Sequence, residues 1–180
     1  GADKMVVIYD GKTGTKLANL EQVHEGTIYA CAWSPNDKFL LTCSADGTVK
    51  LLSVEPLEIV HTWNVAELQI GAQILEKTPI GGMQVGCAFV GGDVPVSVGL
   101  NGQLTMLPKP PMLESGIDTL NFLTGHSAPI AGLAIGLNGL FYTGDTDGVV
   151  CQWNMETGKA IKRIQPPEST DMLGKMHGDA

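Results

Sequence analysis

Three tight-turn pairs constrain the fold of this chain more than any other feature. Each pair is an Asp or Asn followed by glycine, and each stands between two short apolar runs: Asp46-Gly47, Asn101-Gly102 and Asp147-Gly148. With Asp3-Lys4 near the N-terminus, they recur at intervals of 43, 55 and 46 residues. A period of about 45 residues is typical of a four-stranded repeat. The chain is therefore predicted to be all-β and built from repeated antiparallel sheets.

The spacing further predicts a partial β-propeller, in which each repeat forms one blade. About four blades' worth of sequence is present, and closed propellers use about 4–8 blades. We therefore expect part of a larger ring, although a small self-closing ring is the alternative. The predicted segments are 1–20 (end of a preceding blade and its outer strand), 21–65 (a repeat), 66–124 (a degenerate repeat with an insertion over 66–81), 125–165 (a repeat) and 166–180 (a connection to a further blade).

Charge and cysteine usage restrict the partners and the compartment. The net charge is −8, whereas nucleic acids and anionic membranes attract surfaces rich in Lys and Arg. Neither is predicted as a partner, and the acidic balance fits a basic protein partner or simply solubility.

Cysteines occur at positions 31, 43, 87 and 151 without a C-x-x-C pair, so they are predicted to be small buried side chains in a reducing compartment. No leader-like or membrane-spanning apolar run is visible, and a cytoplasmic location is expected.

No arrangement of residues indicates catalysis. The serines lack a G-x-S-x-G context, and the four histidines show neither H-E-x-x-H nor other metal-ligand spacing. We therefore predict no metal, no cofactor and no enzymatic activity.

The third repeat resembles the WD-repeat family. It begins with Gly125-His126, turns at Asp147-Gly148 and ends with Trp153-Asn154, which is similar to the family's G-H start, turn aspartate and W-D end. In that family the His, the turn Asp, a strand Ser or Thr and the Trp form a buried hydrogen-bonded network. Such a network is physically reasonable, because a buried carboxylate requires donors.

The resemblance implies two structural networks in this chain. The members in the third repeat would be His126, Thr143, Asp147 and Trp153. The members in the first repeat would be His24, Thr42 and Asp46, with Leu52 where the family has Trp. Asn101 replaces the turn aspartate in the degenerate repeat, so a network is not expected there.

A narrower resemblance is to the actin-interacting protein 1 family. Gln84-Val85-Gly86-Cys87, followed by Ser97-Val98-Gly99-Leu100-Asn101-Gly102, is similar to that family's degenerate blade, with Gly99 in place of a serine. The resemblance implies two joined seven-bladed propellers in a cytoplasmic regulator at the cytoskeleton. Its partners would be actin filaments and cofilin, and it would promote the disassembly of cofilin-decorated filaments.

Partner-contacting residues are less constrained than the networks. Trp33 and Trp63 are candidates, because exposed aromatic residues often anchor protein interfaces; the alternative is that both pack between blades. The insertion over 66–81 is a second candidate, since loops on a rigid scaffold often carry binding function. The alternative to an actin regulator is a WD-repeat scaffold or adaptor of another multiprotein complex.

Overall fold

The computed structural model describes residues 1–65, 82–113, 121–123, 125–136, 140–154 and 159–166, and in these ranges it contains fourteen β-strands. The insertion over 66–81 and nearly all of the predicted connection over 166–180 lie outside the described residues. The strands are β1 (Val6–Tyr9), β2 (Lys16–Leu20), β3 (Ile28–Trp33), β4 (Phe39–Ser44), β5 (Thr48–Ser53), β6 (Glu58–Asn64), β7 (Gln84–Val90), β8 (Val94–Gly99), β9 (Leu104–Met106), β10 (Asn121–Leu123), β11 (Ile130–Ile135), β12 (Leu140–Asp145), β13 (Val150–Asn154) and β14 (Lys159–Ile164).

These strands form four antiparallel sheets that follow the chain order. Strands β1 and β2 pair as a two-stranded sheet, and β3–β6, β7–β10 and β11–β14 each form a four-stranded meander. The first strands β3, β7 and β11 lie next to one another, so the three meanders stack as consecutive blades. The prediction of an all-β, partial propeller is confirmed.

The turns that suggested the repeat have the backbone geometry that glycine permits. Gly47, Gly102 and Gly148 have φ angles of 82°, 81° and 78°, a region that side-chain-bearing residues rarely adopt. Each glycine ends the tight turn between the second and third strands of its sheet. This position explains why the Asp-Gly and Asn-Gly pairs repeat at blade length.

Irregularities in strand pairing recur at equivalent places. The register shifts once near the start of the first strand in each four-stranded sheet: between Ile28 and Ala30, between Gln84 and Gly86, and between Ile130 and Gly132. Since a β-bulge bends a strand and increases its twist, the same bulge at the same place gives the three blades a common curvature. The degenerate repeat therefore keeps the blade geometry although it has lost the WD motif.

The hydrophobic core lies between sheets. One cluster joins β1–β2 to the first meander through residues such as Val6, Leu40 and Leu52. A second cluster joins the first two meanders through Leu41 and Phe89, among others, and a third joins the last two. Each of the first two meanders packs one face on the preceding sheet and the other on the following sheet, and among the described residues the third meander packs on the second. Neighbouring sheets therefore bury their apolar residues together.

One face of β3 differs from the sequence expectation. Cys31 is exposed rather than buried, and it alternates with exposed Tyr29 and Trp33 along β3. These residues share the face of Leu40 and Thr42, where the described part of the chain places only the two strands β1 and β2. The alternation in the sequence of β3 shows which residues share a face, but tertiary packing decides whether that face is covered.

Candidate functional site

The first meander contains a buried network centred on His24. The imidazole side chain is fully buried, and its Nδ1 lies 3.1 Å from Asp46 Oδ2 and 2.9 Å from Thr48 Oγ1. Its Nε2 lies 2.9 Å from Thr42 Oγ1. The arrangement suits a neutral ring in which Nδ1–H donates to the carboxylate and Nε2 accepts from the Thr42 hydroxyl.

Asp46 is held by several donors besides the histidine. The Thr48 hydroxyl and the Thr48 backbone N–H both donate to Oδ1, at 2.7 and 2.9 Å, and the Glu25 N–H donates to Oδ2 at 2.8 Å. Burial alone would raise the pKa of Asp46, but these hydrogen bonds and the nearby His24 lower it to about 2. Burial lowers the pKa of His24, against the opposing effect of Asp46. The pair is therefore a carboxylate beside a neutral imidazole near pH 7.

The third meander contains the corresponding network, with a continuous chain of donors. Trp153 Nε1–H donates to Thr143 Oγ1 at 2.7 Å, and the Thr143 hydroxyl lies 2.7 Å from His126 Nε2. His126 Nδ1 lies 2.8 Å from Asp145 Oδ2, and both side chains are fully buried. Since a buried polar group must be satisfied to avoid a large desolvation cost, the network fixes the loop before β11 against strands β12 and β13.

The sequence prediction named the wrong carboxylate in this second network: His126 pairs with Asp145, not with Asp147. Asp147 does not contact His126; it is exposed, and its backbone N–H donates to Asp145 Oδ1 at 3.0 Å. Asp145 also accepts the Val149 N–H at 2.9 Å. Burial would raise the pKa of Asp145, but the hydrogen bond with His126 and these two backbone donors lower it.

His126 pairs with Asp145 rather than Asp147 because of the residue at the end of the second strand. Asp145 pairs with Ile130 as Ser44 pairs with Ile28, so the two occupy equivalent positions. Ser44 has no carboxylate, and the histidine of the first repeat therefore pairs with the turn residue Asp46. A carboxylate stands at that strand position in the third repeat, and the histidine pairs with it instead. Counting back two residues from the turn in T-G-D-T-D-G would have revealed the competing aspartate.

Sequence reasoning also missed Thr48. It follows the glycine of the turn and contributes both a hydroxyl and a backbone donor to Asp46. The equivalent position in the third repeat is the apolar Val149. The only sequence signal was a hydroxyl-bearing residue two positions after the turn aspartate, a spacing typical of local side-chain-to-backbone hydrogen bonds.

The degenerate repeat has buried polar side chains without such a network. Ser97 occupies the position of Thr42 and Thr143, as its pairing with Cys87 shows. Within the described ranges, its hydroxyl has no hydrogen-bond partner, and neither does Gln84 Oε1. Both side chains are almost completely buried. This blade is stabilised mainly by apolar packing on its two neighbours.

The two candidate tryptophans lie in different environments. Trp63 is 3% exposed, and its Nε1–H donates to Pro108 O of the next sheet at 2.9 Å. Its prediction as a partner contact is therefore wrong, because the ring fills the space between two blades. Trp33 is 47% exposed on β3 and stays a candidate contact.

The described residues contain no group of three or more His, Cys, Asp or Glu side chains that could hold a metal ion. A small cleft is lined by residues of β3, β7 and β11, among them Ala30, Cys87 and Leu133. In the described ranges, no helix has the length and apolar composition needed to span a bilayer. The organised polar groups of this part of the molecule are thus the two histidine networks, which connect loops to sheets.

Comparison with known proteins agrees with this architecture. The family model "WD domain, G-beta repeat" matches residues 14–53 and 117–154, and these two ranges contain all the side chains of both networks. The chain is accordingly a WD-repeat chain that forms part of a β-propeller.

The relatives are more specific. The chain is 34% identical to WD repeat-containing protein 1 of Gallus gallus over 163 residues, and 34% identical to Actin-interacting protein 1 of Drosophila melanogaster over 164 residues. Each alignment covers 88% of this chain and 24% of the relative. The chain is therefore homologous to the WD repeat-containing protein 1 and actin-interacting protein 1 group, which confirms the resemblance seen in the sequence, and it spans about a quarter of these relatives' length.

Proposed function

We propose that this chain is part of an actin-binding cytoskeletal regulator that promotes the disassembly of cofilin-decorated actin filaments through protein–protein contacts. The observation that carries the proposal is the 34% identity to a protein named Actin-interacting protein 1 over most of the chain. The proposed partners are actin filaments and cofilin, and the proposed location is the cytoplasm at the cytoskeleton. No catalytic step is part of the proposal.

The proposed mechanism is recognition by a rigid surface. The networks around His24 and His126 are buried and hydrogen-bonded, so they hold the blades in one geometry and leave binding to the exterior. A filament strained by cofilin would present a geometry that such a surface binds better than the geometry of a bare filament. A partner that binds one state more tightly shifts the population toward that state, and here the favoured state would lead to severed ends.

Co-sedimentation with actin filaments tests the proposal. We expect the complete protein to pellet with filaments more strongly when cofilin is present, and the 180-residue chain in parallel shows whether these blades suffice. Absence of the complete protein from the pellet in both conditions would refute an actin-binding role. It would favour the alternative, a WD-repeat scaffold of another complex, which affinity capture would then identify.

Trp33 is the proposed contact within the described residues. Trp33→Ala should weaken co-sedimentation of the complete protein with cofilin-decorated filaments, while Leu17→Ala, at a side chain that is 62% exposed on β2, should not. If Trp33→Ala instead lowers the unfolding midpoint and leaves filament binding intact, the ring packs between blades of the complete protein and is not a contact.

A further inference from the structure

The outer strand of the last meander differs from the rest of the surface. Among the residues that the structure describes, strand β14 has one neighbour, β13, and its other edge is open. All six of its residues are exposed, including Ile161 at 54% and Ile164 at 45%. An open edge presents unpaired backbone N–H and C=O groups, which can pair with another extended chain.

This strand is also strongly basic in an acidic chain. It carries Lys159, Lys162 and Arg163 and no acidic residue, although the net charge of the protein is −8. Among the described residues, none of these three cations forms a salt bridge. The outer strand β6 carries Glu58 and no Lys or Arg, and β2 carries the single cation Lys16. The positive charge of β14 is therefore not a general property of the outer strands.

The strand register places cations on both faces of the sheet along the open edge. Lys162 pairs with Gln152 and Lys159 with Asn154, whereas Arg163 pairs with Cys151. Because directly opposite residues share a face and neighbouring residues on β13 alternate, the two lysines lie on one face of the sheet and the arginine on the other. An extended chain added along this edge would meet a cation whichever way its side chains point.

We propose that the β14 edge is a docking site for an acidic, extended segment of a partner protein. Backbone hydrogen bonds along the open edge would hold the segment as an additional strand. Carboxylates on alternate residues would face the lysines or the arginine, and apolar residues between them would cover the exposed isoleucines. The proposal extends beyond actin regulation and does not depend on actin being the partner.

Protection of the edge is the competing explanation for the same charges. Lysines on an edge strand keep sheets from pairing with each other. The two explanations differ in what happens when the charges are reversed. If the edge is a docking site, reversing its charges lowers the affinity for an acidic strand more than reversing charges elsewhere does. If the cations only protect the edge, the reversed edge is still charged and still protected, and no such specific loss of affinity is expected.

The test uses the complete protein and a fluorescein-labelled twelve-residue peptide of alternating Glu and Val. We expect binding by fluorescence anisotropy at low ionic strength. The triple variant Lys159→Glu/Lys162→Glu/Arg163→Glu should weaken it about tenfold, since exposed ion pairs contribute modestly and three of them add. The matched variant Lys12→Glu/Lys16→Glu/Lys38→Glu reverses three exposed cations elsewhere and should change the affinity less than about threefold. A peptide with proline at every Val position should fail to bind, because it lacks half of the backbone donors.

Several results would overturn the proposal. Equal weakening by both triple variants would mean that the peptide senses overall charge only. Retained affinity in the β14 variant would assign the cations to edge protection. Equally tight binding of a single-stranded oligonucleotide of the same charge, or of the proline peptide, would contradict recognition of an extended peptide strand. The unfolding midpoints of both triple variants show whether the anisotropy measurements were made on folded protein.

Discussion

At the scale of residues, the two histidine networks are equivalent in shape but not in composition. Both contain a buried imidazole between a carboxylate and a threonine hydroxyl. The first repeat takes its carboxylate from the turn, and the third takes it from the end of the preceding strand. The choice follows from a single position, Ser44 in one repeat and Asp145 in the other.

Replacement of Asp145 should therefore be costly, and replacement of Asp147 should not. Asp145→Ala removes the acceptor for His126 Nδ1–H and for two backbone N–H groups, so we expect a loss of about 3 kcal/mol in the free energy of unfolding. Asp147→Ala alters an exposed side chain and should cost less than about 0.5 kcal/mol. Urea unfolding of the two variants measures the difference, and equal losses would contradict the assignment of Asp145.

The depressed pKa of Asp46 predicts loss of stability in acid. The folded-state pKa of Asp46 is about 2, below the ordinary value of 3.8. The ionised carboxylate therefore stabilises the fold above pH 3.8, and this stabilisation is lost as the pH falls toward 2. The stabilisation is about 2 kcal/mol at neutral pH. The lowered pKa of His24 acts in the same direction: its contribution is present above the ordinary pKa of 6.5 and decreases as the pH falls below it, because the unfolded chain takes up the proton first.

Unfolding midpoints measured from pH 7 to pH 2 test this prediction. The midpoint of the wild-type protein should fall more steeply between pH 4 and pH 2 than that of Asp46→Asn, which has no carboxylate to protonate at this position. Asp37→Asn removes an exposed carboxylate and should follow the wild-type curve. Parallel curves for the wild type and Asp46→Asn would exclude a stabilising role for the charged carboxylate.

At the scale of elements, the first and third repeats differ at two positions that pack together. The third repeat combines a glycine with a tryptophan, and the first combines two residues of intermediate size. Trp153 packs directly over Gly125, where a Cβ would meet the indole ring at 2.6 Å. Relative to the network histidine, the first repeat has Val23 at the position of Gly125, and Leu52 stands where the third repeat has Trp153. Both Val23 and Leu52 are fully buried in one cluster. The missing tryptophan is thus part of a different but complete packing arrangement.

Restoring the family tryptophan in the first repeat should destabilise it. Leu52→Trp places an indole where Val23 already fills the space, and overpacking of this kind costs about 1–3 kcal/mol. Adding Val23→Gly to Leu52→Trp should recover part of that loss, although Val23→Gly alone is destabilising. A double-mutant cycle by chemical denaturation measures this coupling. Additive losses would show that the two positions are independent.

At the scale of the whole molecule, stability is shared between neighbouring sheets. Each cluster draws residues from two consecutive sheets, so the loss of a core side chain should weaken both partners. Leu41→Ala, in the cluster between the first two meanders, should cost about 2–5 kcal/mol. It should increase amide exchange in β3–β9 more than in β11–β14.

Phe141→Ala provides the matched comparison, because Phe141 lies in the cluster between the last two meanders. Its effect on exchange should spread over β7–β9 and β11–β14 and leave β3–β6 nearly unchanged. Hydrogen exchange followed by mass spectrometry resolves the two patterns. Uniform loss of protection across all sheets in both variants would mean that the blades unfold as one unit rather than by nearest-neighbour coupling.

The sequence by itself determined the local structure of this protein. Turns such as Asp46-Gly47 and Asp147-Gly148 were predictable because glycine adopts positive φ more readily than any other residue. The strands between them followed from runs of apolar and β-branched residues, and the repeat length then gave the blade. His24, Thr42 and Asp46 could be named in advance because this stretch resembles the WD-repeat motif, and the resemblance implies a network of these residues.

Tertiary structure decided which of several chemically suitable groups meet. Asp145 and Asp147 are both close enough in sequence to the expected position to pair with His126. Only Asp145, at the end of β12, has its carboxylate next to the buried imidazole. Trp33 and Trp63 both lie on strands, yet one is half exposed and the other donates to Pro108 of the next sheet. These outcomes depend on contacts between residues far apart in sequence, whose distances the local pattern of side chains does not contain.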